Sequence, residues 1–112
     1  DLGESDALTV MLDKNNQAWY YEGDWTKAKA EGRILPLEGE LAARKLIMNK
    51  QQQLDVSGRK EGRNGLMLLV KPGSGTSYKS LVDLLDEVSI NDVKKYAVVQ
   101  LTAEERSWLL KQ

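Results

Sequence analysis

Apolar and polar side chains alternate through residues 8–13, where Leu8, Val10 and Leu12 interleave with Thr9, Met11 and Asp13. A period of two predicts a half-buried strand. Residues 19–22 predict a second, aromatic strand, with Trp19 and Tyr21 on one face and Tyr20 on the other. Between them runs Asp13-Lys14-Asn15-Asn16-Gln17, and asparagine tolerates the left-handed backbone of tight turns. The pattern predicts a β-hairpin. Residues 23–36 show no clean period: Trp25 and the Lys27-Ala28-Lys29-Ala30-Glu31 run allow one helical turn, but Gly23, Gly32 and Pro36 mark a loop.

Residues 38–54 turn helical in composition, and Glu38 and Glu40 before Lys45 and Lys50 suit the helix macrodipole. The apolar stripe is broad. Leu37, Leu41 and Met48 fall on one side, and Ala43, Leu46, Ile47 and Leu54 on another. Two buried faces within one fold are the simpler explanation; contact with a second body is the alternative. Residues 55–65 hold Gly58, Gly62 and Gly65 and predict a mobile loop. The unbroken run Leu66-Met67-Leu68-Leu69-Val70 predicts a central strand covered on both faces.

The next helix is the clearest element. Ser77 or Thr76 can cap it, and Leu81, Leu84, Leu85 and Val88 follow at i, i+3, i+4 and i+7, with Tyr78 one turn earlier. Asn91-Asp92 predicts a turn, Tyr96-Ala97-Val98-Val99 a last strand, and Thr102-Ala103-Glu104-Glu105 a capping box opening a short helix with Trp108 and Leu109. The order β-β-α-β-α-β plus a terminal helix predicts an α+β two-layer sandwich. Residues 66–99 should form a right-handed crossover with both strands in one sheet. Tyr78, Leu81, Leu85, Tyr96 and Val98 are the expected core, so a polar residue at Leu85 or Val98 should cost about 2–5 kcal/mol.

Composition narrows the function classes. The 112 residues predict one domain, with a core over 7–101 and a C-terminal helix over 102–112. Sixteen basic against seventeen acidic side chains leave a net charge of −1, too weak a field to hold nucleic acid or an anionic membrane. Without cysteine or histidine, thiolate and imidazole metal sites, cysteine nucleophiles and Ser-His-Asp triads are excluded. No run approaches the ~20 apolar residues of a membrane span. The acidic start Asp1-Leu2-Gly3-Glu4 lacks the basic and apolar regions of a signal peptide, and a first residue other than Met suggests a processed chain or an excised fragment.

Three groups of residues invite a chemical reading. Lys71-Pro72-Gly73-Ser74-Gly75-Thr76-Ser77 lies between strand and helix, where phosphate loops occur, yet it matches neither Gly-Lys-[Ser/Thr] nor GxGxxG. An ordinary βα turn accounts for it. Asp83, Asp86 and Glu87 share a helix face that can hold a cation or transfer protons, but they lie opposite the Leu81, Leu85 and Val88 stripe and are most simply its solvated face. Trp19, Tyr20, Tyr21 and Trp25 can stack on bases or sugars, but they lack a basic surround and suit hairpin packing. No catalytic residue, cofactor site or metal site emerges, and the chain reads as a binding or structural module. A small-ligand or nucleotide-binding α+β domain using the Gly73-Ser74-Gly75 turn is the competing class.

Tyr78-Lys79-Ser80-Leu81-Val82-Asp83-Leu84-Leu85-Asp86-Glu87, followed by Val93-Lys94-Lys95-Tyr96-Ala97-Val98-Val99, resembles the C-terminal signature of the ExbD/TolR biopolymer-transport family. In that signature an apolar strand and short loop precede a helix of the form Tyr-x-x-Φ-Φ-x-Φ-Φ-Asp (Φ apolar) and then a Lys-Φ-small-Φ-Φ strand. The hairpin of residues 8–22 is similar to the family's own, and the aromatic hairpin with its Lys-Pro-Gly loop resembles versions from the Bacteroidetes-type lineage. About two-thirds of the chain is covered.

The resemblance implies a non-enzymatic periplasmic domain at the inner membrane. It would be dimeric, anchored by an N-terminal membrane helix that precedes a linker at 1–6, and held within an ExbB-type channel. Its role would be to couple the proton-driven motor to a TonB-type protein for outer-membrane transport. A TolR-like domain that binds peptidoglycan for envelope integrity or motility is the alternative within the family. The family's transmembrane helix and proton-accepting Asp are not among these residues, and residues 24–36, 55–65 and the terminal helix exceed the compact pattern. Force crossing a non-covalent contact needs a grip, which a sheet edge supplies by adding a partner strand. The expected dimer or partner contact is therefore Val98, Val99, Gln100 and Leu101, or the second face of the first helix.

Overall fold

The computed structural model describes residues 6–112; the expected linker at 1–6 lies outside them, apart from Asp6. Among the described residues, β1 (Ala7–Leu12), β2 (Ala18–Glu22), β3 (Leu35–Pro36), β4 (Met67–Pro72) and β5 (Lys95–Val98) form one sheet in the order β3-β2-β1-β4-β5. β1 runs antiparallel to β2 and parallel to β4, and β4 runs parallel to β5. The helices are α1 (Trp25–Ala30), α2 (Ala42–Asp55), α3 (Tyr78–Ile90) and α4 (Ala103–Leu110). The expected α+β sandwich with a terminal helix is the fold observed. β4 and β5 are neighbours in one sheet, as the crossover requires.

Alternation along the strands sorts side chains into two cores. Leu8, Val10 and Leu12 on β1 face the same way as Leu68 and Val70 on β4, and they pack with Ile47 and Leu54 of α2 and Leu84 and Val88 of α3. On the other face Met11 and Tyr21 meet Ala28, Leu101 and Leu109, with Trp19, Trp25 and Trp108 around them. The hairpin turns where predicted: Asn15 and Asn16 take φ of 57° and 58°, and the Asp13 N–H donates to the Gln17 carbonyl at 2.8 Å.

Four local expectations are corrected. Residues 23–36 are not a plain loop: Asp24 accepts from the Lys27 N–H at 2.9 Å and caps α1, and buried Ala28 pins the helix to the sheet. Six residues cannot stabilise a helix alone, so packing supplies what periodicity could not announce. α2 starts four residues after Glu38, because Gly39 (φ 99°) and Leu41 (φ 60°) are left-handed; Glu38 and Glu40 lie outside the helix and no acidic residue occupies its first turn. Within residues 55–65 Asp55 gathers Arg63 through three contacts at 2.6–3.1 Å, organising a 3₁₀ turn at Gly62–Gly65. And the second apolar side expected for this helix is covered only at Leu37, which packs on the core, since Leu41 and Met48 are exposed.

The expected core residues also divide. At about 100° per residue, Leu81, Leu84 and Val88 fall within roughly 60° of arc on α3, while Leu85 and Tyr78 lie progressively outside it. Leu84 and Val88 are buried and Leu81 packs against them. Leu85 is only half-buried, and Tyr78 is 83% exposed. Tyr96 and Val98 sit in register with Leu68 and Val70, but β5 is the last strand of the sheet, so they are 52% and 46% exposed. Of the five, only Leu81 belongs to the core periphery.

α4 is fastened by a buried charge. The Thr102 hydroxyl accepts from the Glu105 N–H at 3.1 Å and a Glu105 oxygen accepts from the Thr102 N–H at 2.8 Å, completing the predicted capping box. Both carboxylate oxygens of Glu105 also lie 2.9 Å from the Lys71 ammonium, and the Tyr21 hydroxyl donates to one of them. Burial pushes the Glu105 carboxyl up, but the Thr102 N–H, the Tyr21 hydroxyl and the Lys71 ammonium together outweigh it and hold it below its ordinary value. Burial, and then the Glu105 carboxylate, push the Tyr21 hydroxyl well above its own.

Because the folded pKa of Glu105 is depressed, its stabilisation is fully present above the unfolded value of about 4.3 and is lost as pH falls through the folded one. Glu105→Gln lacks that titration. The stability gap between wild type and Glu105→Gln, followed by thermal melts, should therefore narrow below about pH 4; a gap constant from neutral pH into that range would show that Glu105 is not the titrating group.

Candidate functional site

The sheet has two edges of unlike character. β3 is two residues long and ends in Pro36, which cannot donate to an added strand. β5 carries no proline, and its inner side is satisfied by β4, with the Val99 N–H extending the ladder to the Val70 carbonyl at 2.9 Å. Its outer side faces no further strand among the described residues. Long open edges are normally blunted by charge or cover, and here Lys94 and Lys95 guard only the start.

Beyond them Tyr96, Val98 and Val99 are exposed. Tyr96 and Val98 lie on the sheet face that α3 covers further in, because they are in register with core residues Leu68 and Val70. A strand added to β5 would extend that layer and cover them. Of the predicted contact residues, Val98, Val99 and Gln100 are exposed at the edge. Leu101 is not: it is buried against Met11, Tyr21 and Leu109, because the chain there turns under the sheet to enter α4.

The other candidate groups resolve into structure. A side-chain carbon on Gly73 would sit 2.9 Å from the Leu12 carbonyl, and one on Gly75 would sit 2.8 Å from Lys14. Both glycines therefore admit the hairpin. The Gly73 N–H donates to the Leu12 carbonyl at 2.8 Å, as does the Thr76 hydroxyl at 3.0 Å, and Ser77 caps α3 through the Ser80 N–H. The Gly73 N–H and the Thr76 hydroxyl are thus engaged within the fold. Asp83 pairs with Lys79 at 2.8 Å, and Glu87 takes Arg44 of α2 in a fork at 2.9 and 3.1 Å, while Asp86 is exposed. Among the described residues no group of acidic side chains has a metal-binding arrangement.

The aromatic side chains pack on one another. Trp19 and Trp108 meet edge-on with centroids 4.9 Å apart, and Tyr21 and Trp25 at 5.3 Å, so they bridge the hairpin to α1 and α4. Sequence reasoning missed the Lys71–Glu105 lock, although Lys71 falls on the same strand face as Leu69 and Glu105 is the third helical residue of the predicted box. It also missed Lys50, a cation with a buried side chain paired to Glu22. No protein-family model, curated protein or solved structure matches the chain. Among the described residues no helix is long and apolar enough to cross a membrane.

Proposed function

We propose that this domain is a force-transmitting binding module of the ExbD type, which grips its partner by strand addition at β5 and performs no reaction. The observation that carries the reading is the open β5 edge, with Tyr96 and Val98 left exposed beside a sheet whose opposite edge is closed by Pro36. Main-chain hydrogen bonds supply a directional grip along the strand, and Tyr96 and Val98 supply the apolar contact that selects the mate. In this reading the mate is a second copy in the resting dimer and a TonB-type segment when load is transferred. The domain works at the periplasmic face of the inner membrane, on an ExbB-type channel, through an anchor outside these residues. The signature at 78–99 supports the family, and the edge supports the mode of contact.

The test separates contact from folding. Tyr96→Lys with Val98→Lys should leave stability within about 1 kcal/mol, since exposed positions tolerate substitution. The same pair should abolish dimerisation in sedimentation and capture by a TonB C-terminal fragment. Unchanged self-association and unchanged capture would refute the edge contact, and capture by purified sacculi in place of the TonB fragment would transfer the domain to the TolR-like branch.

A further inference from the structure

At the side of the sheet remote from β5, the β2–β3 edge and α2 border an open pocket of about 490 Å³. That volume lies within the ~300–1,000 Å³ that small ligands occupy. Its walls are of two kinds. Leu35, Leu46 and Tyr20 line one part, and Lys50, Arg33 and Glu22 bring charge to the other.

Both cations are short of acceptors. The Lys50 side chain is 1% accessible, and its ammonium has two acceptors among the described residues: Glu22 Oε1 at 3.1 Å and Gln53 Oε1 at 3.3 Å. These are longer than the ~2.7–2.9 Å of a strong charge-assisted bond, and the third N–H of the ammonium has none. Arg33 gives its Nε to Glu31 at 2.9 Å, while its Nη1 is buried with no acceptor. The Arg33 side chain is 17% accessible and Glu31 is exposed, so the guanidinium is held at the pocket wall with Nη1 unfilled.

Two cations and one carboxylate line the pocket, and the second carboxylate, Glu31, meets Arg33 from outside the lining. Unfilled donors on two cations call for an anionic group with more than one acceptor oxygen, and the apolar wall calls for a hydrocarbon body. We propose that this pocket binds a small organic carboxylate, its oxygens on Lys50 and Arg33 and its body against Leu35, Leu46 and Tyr20. The site is separate from the β5 edge, so its failure leaves the strand-addition reading standing.

Hexanoate, hexanamide, acetate and inorganic phosphate, titrated into isotopically labelled protein and followed by amide chemical shifts, test the assignment. Hexanoate should move Tyr20, Leu35 and Lys50 saturably, with hexanamide and acetate each at least about tenfold weaker, the scale of a lost charged hydrogen bond or of a few buried methylenes. Arg33→Gln and Lys50→Met should each weaken hexanoate about tenfold or more. Thermal melts of both variants separate loss of the site from loss of the fold, and a folded Arg33→Gln decides the assignment whatever Lys50→Met does. Hexanamide binding as well as hexanoate would reduce the site to an apolar hole. Phosphate binding as well as hexanoate would reduce it to a charge. No saturable shift, or an Arg33→Gln variant that binds like wild type, would overturn the proposal outright.

Discussion

Replacing Glu105 with alanine is expected to destabilise the domain by about 3–5 kcal/mol, the scale of breaking a buried ion pair from one side. Glu105 is fully buried, and its carboxylate is the shared acceptor for the Lys71 ammonium, the Tyr21 hydroxyl and the Thr102 N–H. Removing it strands a lysine that is itself 8% exposed, deprives a buried phenol of its acceptor and undoes the cap of α4. The cost is thus dominated by what is left behind. Lys71→Met combined with Glu105→Leu should recover much of the loss, because a buried pair exchanged whole for apolar groups is often close to neutral. Urea unfolding of the single and double variants decides it: a single variant within 1 kcal/mol of wild type, or a double variant as unstable as the single, would remove the charge lock from the account.

Leu68→Ala should cost about 2–5 kcal/mol, the range for a large buried side chain cut to a methyl. Leu68 is fully buried near the start of β4, paired with Leu8 on one side and Tyr96 on the other, and it faces α2 and α3. Rigid elements on three sides leave the cavity little room to collapse. Tyr96→Ala is the matched control: same row and same face, but one strand further out, where half the side chain already meets water. Its cost to the isolated domain should be much smaller, and denaturant midpoints of the two variants measure the difference. Equal losses would mean that the α2–α3 layer reaches over β5 and that the edge is already covered.

That contrast marks where sequence reasoning stopped. Period-two alternation in β1, the apolar run of β4 and the Leu81–Leu84–Val88 stripe of α3 are local repeats that hold wherever the element ends up. The alternation and the stripe were legible because one buried face imposes one period, and the β4 run because a strand covered on both faces is apolar throughout. The Thr102 capping box was legible for a similar reason, since its partners lie three residues apart. Tyr78, Tyr96 and Val98 were misplaced because apolar character shows that a residue favours burial and says nothing about whether a neighbour exists to bury it. The position of β5 at the end of the strand order decides that. For the candidate site, the stretch at 96–99 was readable as an apolar strand, whereas its openness was not, and Leu101 looked like part of the same edge while belonging to the opposite core.

Pattern and spacing along the chain by themselves determined the α+β class, the hairpin and the amphipathic α3, because each element depends on residues within a few positions of one another, and composition alone excluded cysteine and histidine chemistry, because neither residue occurs. Only the tertiary structure decided that β5 is an open edge, that Lys71 meets Glu105 across 34 positions of chain, and that Lys50 and Arg33 line one pocket. These are long-range coincidences. They arise when separate elements are brought together by burial, which is nondirectional, and no local period encodes which elements will meet.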